Sequence, residues 1–199
     1  MTRHVLEVRD EISQIRHARS AVSDKAPHGT FMDCDSYFGF CAAKDWLQDT
    51  GEAILCHRDR GLSADSRSAY LEFWGVMQAT FVQQDAINAL RAALGCERHQ
   101  PDNESAWRRL RDLRNLALGH PTKQGCAGQP RPGVTGRSTK TNEAIDSHVY
   151  QNCCAFGCQL RLGELLDAVD LEASHALPPA KEALMRQLGQ FAGSDSFPP

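Results

Sequence analysis

Three residues near the middle of the chain carry side chains suited to chemistry on a phosphodiester: Arg114, Asn115 and His120. A straight helix would turn His120 by about 240° from Arg114. Gly119 and Pro121 predict that the helix ends first, because glycine closes helices and proline lacks the N–H that continues them. The imidazole can then fold back toward the guanidinium at a helix end that favours cations. The simpler interpretation is a capped helix end with a surface histidine.

The helix that carries Arg114 is predicted from an apolar repeat with spacings of three, three and four. This repeat marks one helix face and consists of Trp107, Leu110, Leu113 and Ala117. Asn103 or Ser105 is placed to cap the first turn. Because Arg114 lies at the edge of the apolar stripe, we expect its side chain to be partly buried.

A long helix over residues 67–94 is predicted to precede it, with Ser66 as its cap and Gly95 as its end. Its first half is apolar almost all round, which predicts a buried central helix. Its second half carries polar residues among alanine and isoleucine: Gln83, Gln84, Asp85 and Asn88. Because buried polar groups need partners, these residues either bond to neighbouring helices or point into a cleft near the turn between Arg114 and His120.

The pattern Arg114-Asn115-x4-His120-Pro121 resembles the signature of HEPN domains, in which an arginine and a polar residue are followed by a histidine. The stretch from Tyr70 to Leu90 resembles the long central helix of one bacterial HEPN-like group. The resemblance covers Ser66 to Lys123. It implies a mostly α fold, a HEPN-like helical bundle of four to five helices, in a single domain over residues 1–199.

The resemblance also implies a metal-independent endoribonuclease that acts as a homodimer, with the Arg-His motifs at the interface. His120 would be the general acid or base acting on the ribose 2′-OH or the leaving 5′-oxygen. Arg114 would brace the phosphate, and Asn115 would orient His120 or the phosphate. Many such proteins are toxins or defence effectors with a neutralising partner protein. Because the family also contains inactive members, the alternative is a module that binds RNA, a nucleotide or another protein without cutting.

Further residues are candidates for contacts with an RNA substrate: Arg111, Lys123, Gln84 and Asp85. Arg111 forms a basic patch with Arg108 and Arg109 on the motif helix, and this patch suits neighbouring phosphates. The sequence contains no paired acidic motif of the kind that a two-metal nuclease needs. We therefore expect chemistry without a cofactor.

Composition restricts where the protein works and how it could bind RNA. The chain has 199 residues and a net charge of −3, so any RNA contact must come from a local basic patch. Eight cysteines would suit a disulfide framework in a short secreted chain, but the N-terminus MTRHVLEVRDEISQ lacks the apolar run of a signal peptide. No segment reaches the length of a membrane span. We expect a cytoplasmic protein with reduced thiols and no membrane partner.

Further helices are predicted over residues 3–22, 31–57 and 179–192. Gly51 is predicted to mark an irregularity in the second of these, although the apolar stretch from Ala53 to Cys56 could continue the same helix. Cys34 and Cys41 are seven residues apart, which puts both on one helix face. We predict that they pack in the core as small apolar residues.

The composition changes after the motif helix. Residues 124–143 are rich in glycine and basic residues and are predicted to form a flexible loop, whereas residues 144–162 partly alternate and predict a small β-hairpin insertion. This region also contains residue types that bind zinc: His148, Cys153, Cys154 and Cys158, with Cys126 upstream. Adjacent Cys153 and Cys154 would point to opposite faces of a strand, and the single Cys-x3-Cys has no matching second half. The spacing therefore favours apolar packing over zinc.

Overall fold

The computed structural model describes residues 3–22, 31, 33–115, 133–140, 145–151 and 154–193, and in the strands it describes the backbone alone. Its elements in chain order are α1 (Arg3–Val22), α2 (Cys34–Arg60), α3 (Ser66–Ala93), α4 (Ala106–Arg114), β1 (Gly133–Lys140), β2 (Ile145–Gln151), β3 (Cys154–Leu160), α5 (Leu162–Ala176) and α6 (Pro178–Gly193). The prediction of a mostly helical protein is confirmed. Within these ranges, no helix combines the length and apolarity that crossing a bilayer requires.

The chain divides into two compact units, and long helices contribute to both. The first unit comprises Met1–Gly51, Val82–Gln100 and Asp170–Pro199, and the second comprises Glu52–Phe81 and Pro101–Val169. In the first unit α1 packs against α6, and the Lys181 ammonium pairs with the Glu11 carboxylate.

The core of the second unit holds α4 in place. It is a cluster of buried residues from α2 to α5: Ile54, Leu62, Ala69, Phe73, Val76, Met77, Ala106, Leu110, Leu162, Leu165, Leu166 and Val169. Leu113 of α4 packs against this cluster. Burial of one large apolar side chain stabilises the fold by about 1.5–3 kcal/mol, so several such residues on a short helix set its rotation firmly.

The first turn of α3 is capped by Asp65, whereas the sequence predicts Ser66 as the cap. The Asp65 carboxylate accepts hydrogen bonds from the Ser68 amide at 2.8 Å and from the Ser68 hydroxyl at 2.9 Å. These bonds favour the ionised carboxyl, and the Ser68 amide bond is the main cause that lowers the pKa of Asp65. Aspartate and serine are both good caps. The helix begins at Ser66, one residue earlier than predicted, so Asp65 takes the capping position.

Gly95 ends α3, as predicted. Its φ angle is 71°, in the left-handed region that glycine adopts without steric cost. The Cys96 amide donates to the Arg91 carbonyl at 2.8 Å, and the Gly95 amide donates to the Ala92 carbonyl at 3.0 Å. This pair of bonds is the Schellman motif that closes many helices.

Two predictions for α2 are wrong. Gly51 marks no irregularity, because α2 continues through it; a Cβ there would lie 2.6 Å from Leu6 Cδ2, so the glycine allows close packing. Cys34 is exposed and Cys41 only partly buried, so the pair does not pack in the core. Cys34 is the first residue of α2, where the helix has not yet reached the core.

The first half of α3 is less buried than its composition predicts. Phe73 and Met77 are fully buried, but 72% of Leu71 and 40% of Trp74 are exposed. Composition indicates that a helix is apolar, but it does not indicate which sides its neighbours cover. One side of α3 therefore presents apolar side chains to solvent.

Beyond α4 the backbone forms a three-stranded antiparallel sheet in the order β1-β2-β3. Strands β2 and β3 fall within residues 144–162, and β1 falls within the stretch predicted to be a loop. Helix α5 was missed, although its buried residues follow a clear helical repeat: Leu162, Leu165, Leu166, Val169 and Ala173. The miss arose because this repeat begins directly where a strand ends.

Alanine substitutions at two glycines, one inside α3 and one at its end, should change the free energy of unfolding in opposite directions. We expect Gly95→Ala to lower the free energy of unfolding by about 1–2 kcal/mol, because alanine is strained at positive φ. Gly75 lies inside α3, where an added Cβ would meet no atom within 4 Å. Gly75→Ala should raise the free energy of unfolding by about 0.5–1 kcal/mol. Urea denaturation of both variants measures this, and two changes of the same sign would contradict it.

His57 makes stability depend on pH. Burial is the main cause that lowers the pKa of His57, while the nearby Glu72 carboxylate opposes this shift and Arg58 adds to it. The folded protein therefore holds His57 neutral at a pH where the unfolded chain, with an ordinary histidine pKa near 6.5, already binds a proton.

Stability should rise with pH through the window just below pH 6.5, because the unfolded chain binds more protons there than the folded protein does. His57→Gln removes this titration and should make the free energy of unfolding less dependent on pH in that window. Denaturation at several pH values measures the slope, with His175→Gln on α5 as the exposed control. Equal slopes for wild type and His57→Gln would contradict the assignment.

Candidate functional site

The position of Arg114 follows from how α4 begins and packs. The Ser105 hydroxyl accepts a hydrogen bond from the Arg108 amide at 3.1 Å, which caps the first turn as predicted. Trp107 and Leu110 are buried, so the predicted apolar face of α4 points into the protein. Arg114 is partly buried in the last turn of α4, as its place at the edge of this face predicts.

The Arg114 guanidinium is bound by two neutral oxygen atoms. Its Nε and Nη2 donate to Gln78 Oε1 at 3.3 and 3.0 Å. Its Nη1 donates to Asn115 Oδ1 at 3.1 Å. Because a guanidinium has five N–H donors, Nη1 and Nη2 each retain a second N–H that these bonds do not use. The two amide oxygens orient the group without neutralising its charge.

The Phe81 ring lies against two guanidinium groups. The Cζ atom of Arg114 is 4.3 Å from the ring centroid, and the Cζ atom of Arg111 is 4.2 Å from it. Each contact is a cation–π interaction worth about 0.5–1 kcal/mol where partly exposed. The ring thus holds two positive charges close together at one end of α4, which makes this surface suited to an anion.

The rest of the predicted basic patch lies on the same helix. Arg108 and Arg109 are exposed, and Arg108 Nε lies 3.9 Å from the Asp112 carboxylate. Such an exposed pair contributes little energy and leaves the arginines accessible. Of the four arginines on α4, Arg111 and Arg114 are the two that contact the Phe81 ring.

The other predicted site residues differ in where they lie. His120 and Lys123 are outside the described residues. Gln84 is fully buried and Asp85 is exposed, and both belong to the first compact unit whereas Arg114 belongs to the second. Full burial of Gln84 favours the structural alternative for this polar segment. Asn88 also has a structural role, because its Oδ1 accepts from the His99 amide at 2.8 Å.

Gln78 and Phe81 are the residues that the sequence analysis missed. Phe81 belongs to the apolar stretch of α3, whose composition predicts burial, but it is only partly buried and its ring contacts cations. Gln78 was not singled out, although it is the first uncharged polar side chain after a run of apolar residues on α3. Only that break in composition signalled it.

A metal site finds no support among the described side chains, where no group of three or more His, Cys, Asp or Glu residues could hold an ion. The residues weighed as zinc ligands are not among those side chains: Cys126, His148, Cys153, Cys154 and Cys158.

Substitution of Gln78 tests whether the charge of Arg114 must stay unneutralised. Gln78→Glu should pair with Arg114 and raise the free energy of unfolding by at most about 1 kcal/mol, while weakening the binding of a labelled RNA oligonucleotide about threefold to tenfold at low salt. Gln48→Glu makes the same charge change at an exposed position of α2 that belongs to the first compact unit. Equal losses of RNA affinity in both variants would show that Gln78 acts only through net charge.

No family model, no curated protein and no solved structure matches the chain. The candidate site therefore stands on its motif and on the contacts of Arg114, Gln78 and Phe81.

Proposed function

We propose that the chain is a metal-independent endoribonuclease of HEPN type that uses Arg114, Asn115 and His120. One observation supports this most strongly. The Arg114 guanidinium is oriented by the neutral oxygens of Gln78 and Asn115 and stacks on Phe81, so its charge stays available to a phosphate. A carboxylate in the place of either amide oxygen would form an ion pair with Arg114 and compete with a phosphate for it.

In the proposed reaction the ribose 2′-oxygen attacks the adjacent phosphorus, a new P–O2′ bond forms and the P–O5′ bond breaks. Either His120 takes the proton from the 2′-hydroxyl while water gives a proton to the leaving 5′-oxygen, or His120 gives the proton to the 5′-oxygen while water takes that of the 2′-hydroxyl. The unused N–H groups of Arg114 bind the phosphate oxygens, whose negative charge builds up in the transition state. Because the nucleophile belongs to RNA, DNA is not cleaved, and the products end in 2′,3′-cyclic phosphate.

The same proposal includes a homodimer with the motifs at its interface. A two-fold axis brings the same surface of both copies together, so one composite site would hold two arginines and two histidines. Arg111 and Lys123 would bind flanking phosphates. A role as a toxin or defence effector with a neutralising partner follows from the HEPN resemblance and belongs to the proposal as well.

A second candidate function is a module that binds RNA or a nucleotide without cutting it. The contact of Arg111 and Arg114 with the Phe81 ring favours it, because two adjacent guanidiniums can bind a phosphate without a general base. The two functions differ in one requirement, since only the enzyme needs His120.

An assay of RNA cleavage in EDTA distinguishes the endoribonuclease from the binding module. The wild-type protein should release products with 2′,3′-cyclic phosphate ends, and both Arg114→Ala and His120→Ala should lower the rate at least roughly 100-fold. Arg67→Ala is the matched control, because it removes the same charge from an exposed position of α3 outside the basic patch. Its rate should stay within about threefold of wild type.

Two results would contradict the enzyme. Cleavage that survives His120→Ala would exclude the proposed mechanism. RNA binding without cleavage, lost in Arg114→Ala but kept in His120→Ala, would assign the binding module instead.

A further inference from the structure

An exposed aromatic side chain lies on α3 close to Gln78 and Phe81, the two residues of this helix that contact Arg114. Trp74 is 40% exposed, although tryptophan is among the residues with most to gain from burial. Leu71, one turn earlier on the same side, is 72% exposed. We call the surface around the Trp74 ring, which includes Leu71, the aromatic face of α3. Both belong to the second compact unit, as Gln78, Phe81 and Arg114 do.

The Trp74 ring has one aromatic neighbour and keeps part of its surface exposed. It packs against the ring of Tyr70, with centroids 5.6 Å apart and planes tilted by 44°, and 40% of Trp74 is exposed. An indole that already packs on one neighbour loses less side-chain entropy when a flat ligand stacks on it.

The aromatic face is followed along α3 by Gln78 and Phe81, which contact the arginines of α4. Trp74 and Gln78 are four residues apart on one helix, so they share a face with about 6 Å between them along the axis. Gln78 binds Arg114, and Phe81, three residues further on, contacts both Arg111 and Arg114. Along one side of α3, an exposed ring is therefore followed by two guanidiniums.

We propose that Trp74 stacks on a base of single-stranded RNA whose phosphate binds Arg114, an inference that rests on the proposed function and names its substrate class. A nucleotide presents a flat apolar base next to an anionic phosphate, which is the order of groups along α3. An apolar protein partner would offer no anion to the Arg114 guanidinium. Duplex RNA is disfavoured, because the faces of its bases are already stacked on each other.

The test measures binding of a fluorescent single-stranded oligonucleotide with 2′-O-methyl groups, which cannot be cleaved. Trp74→Leu keeps an apolar side chain but removes the ring, and it should weaken binding about tenfold. Trp74→Phe keeps an aromatic face, and it should retain affinity within about threefold. Trp46→Leu is the matched control, because Trp46 is 50% exposed on α2 in the first unit. It should leave affinity unchanged.

Three results would overturn the inference. Equal affinities for Trp74→Leu and Trp74→Phe would show that stacking is not involved. Equal losses for single-stranded and duplex oligonucleotides would show that the base faces are not read. A change of oligomeric state in Trp74→Leu, seen by sedimentation, with unchanged oligonucleotide affinity would assign the face to a protein interface. Failure of the enzyme proposal is separate, because stacking on an uncleavable strand does not require that RNA be cut.

Discussion

The hydrogen bonds between Arg114 and the Gln78 amide oxygen are the contact on which the candidate site depends. A carboxylate at position 78 would bind the guanidinium more strongly, because it would add the attraction between opposite charges and could accept two parallel hydrogen bonds. It would also cancel the charge that the proposed phosphate contact uses. A neutral acceptor orients Arg114 more weakly and leaves its charge intact.

This contact exists only because the core of the second unit sets α3 and α4 against each other. Leu110 of α4 and Phe73 and Met77 of α3 belong to one buried cluster. Their burial contributes several kcal/mol, far more than the bonds of Arg114 itself. The core therefore decides where the guanidinium can lie, and Phe81 and Gln78 refine its orientation.

Much of the helical architecture was predictable because its signals are local. The periodicity of α1, the Ser105 cap and the Gly95 end each depend on residues within a few positions of one another. Errors arose where distant residues decide the outcome. Gly51 is explained by Leu6, and the exposure of Trp74 depends on which neighbours cover α3. Helix α5 is a different case, since its repeat was present but merged with the preceding strand.

The sequence by itself determined that Arg114 lies late in a capped helix whose apolar face points inward, because capping and periodicity act through neighbours in the chain. Only the tertiary structure decided that Gln78, 36 residues earlier, is the partner of Arg114 and that Phe81 lies against two guanidiniums. Contacts between distant residues depend on how whole helices pack. No local pattern records that packing, because each helix could satisfy its own periodicity in several arrangements.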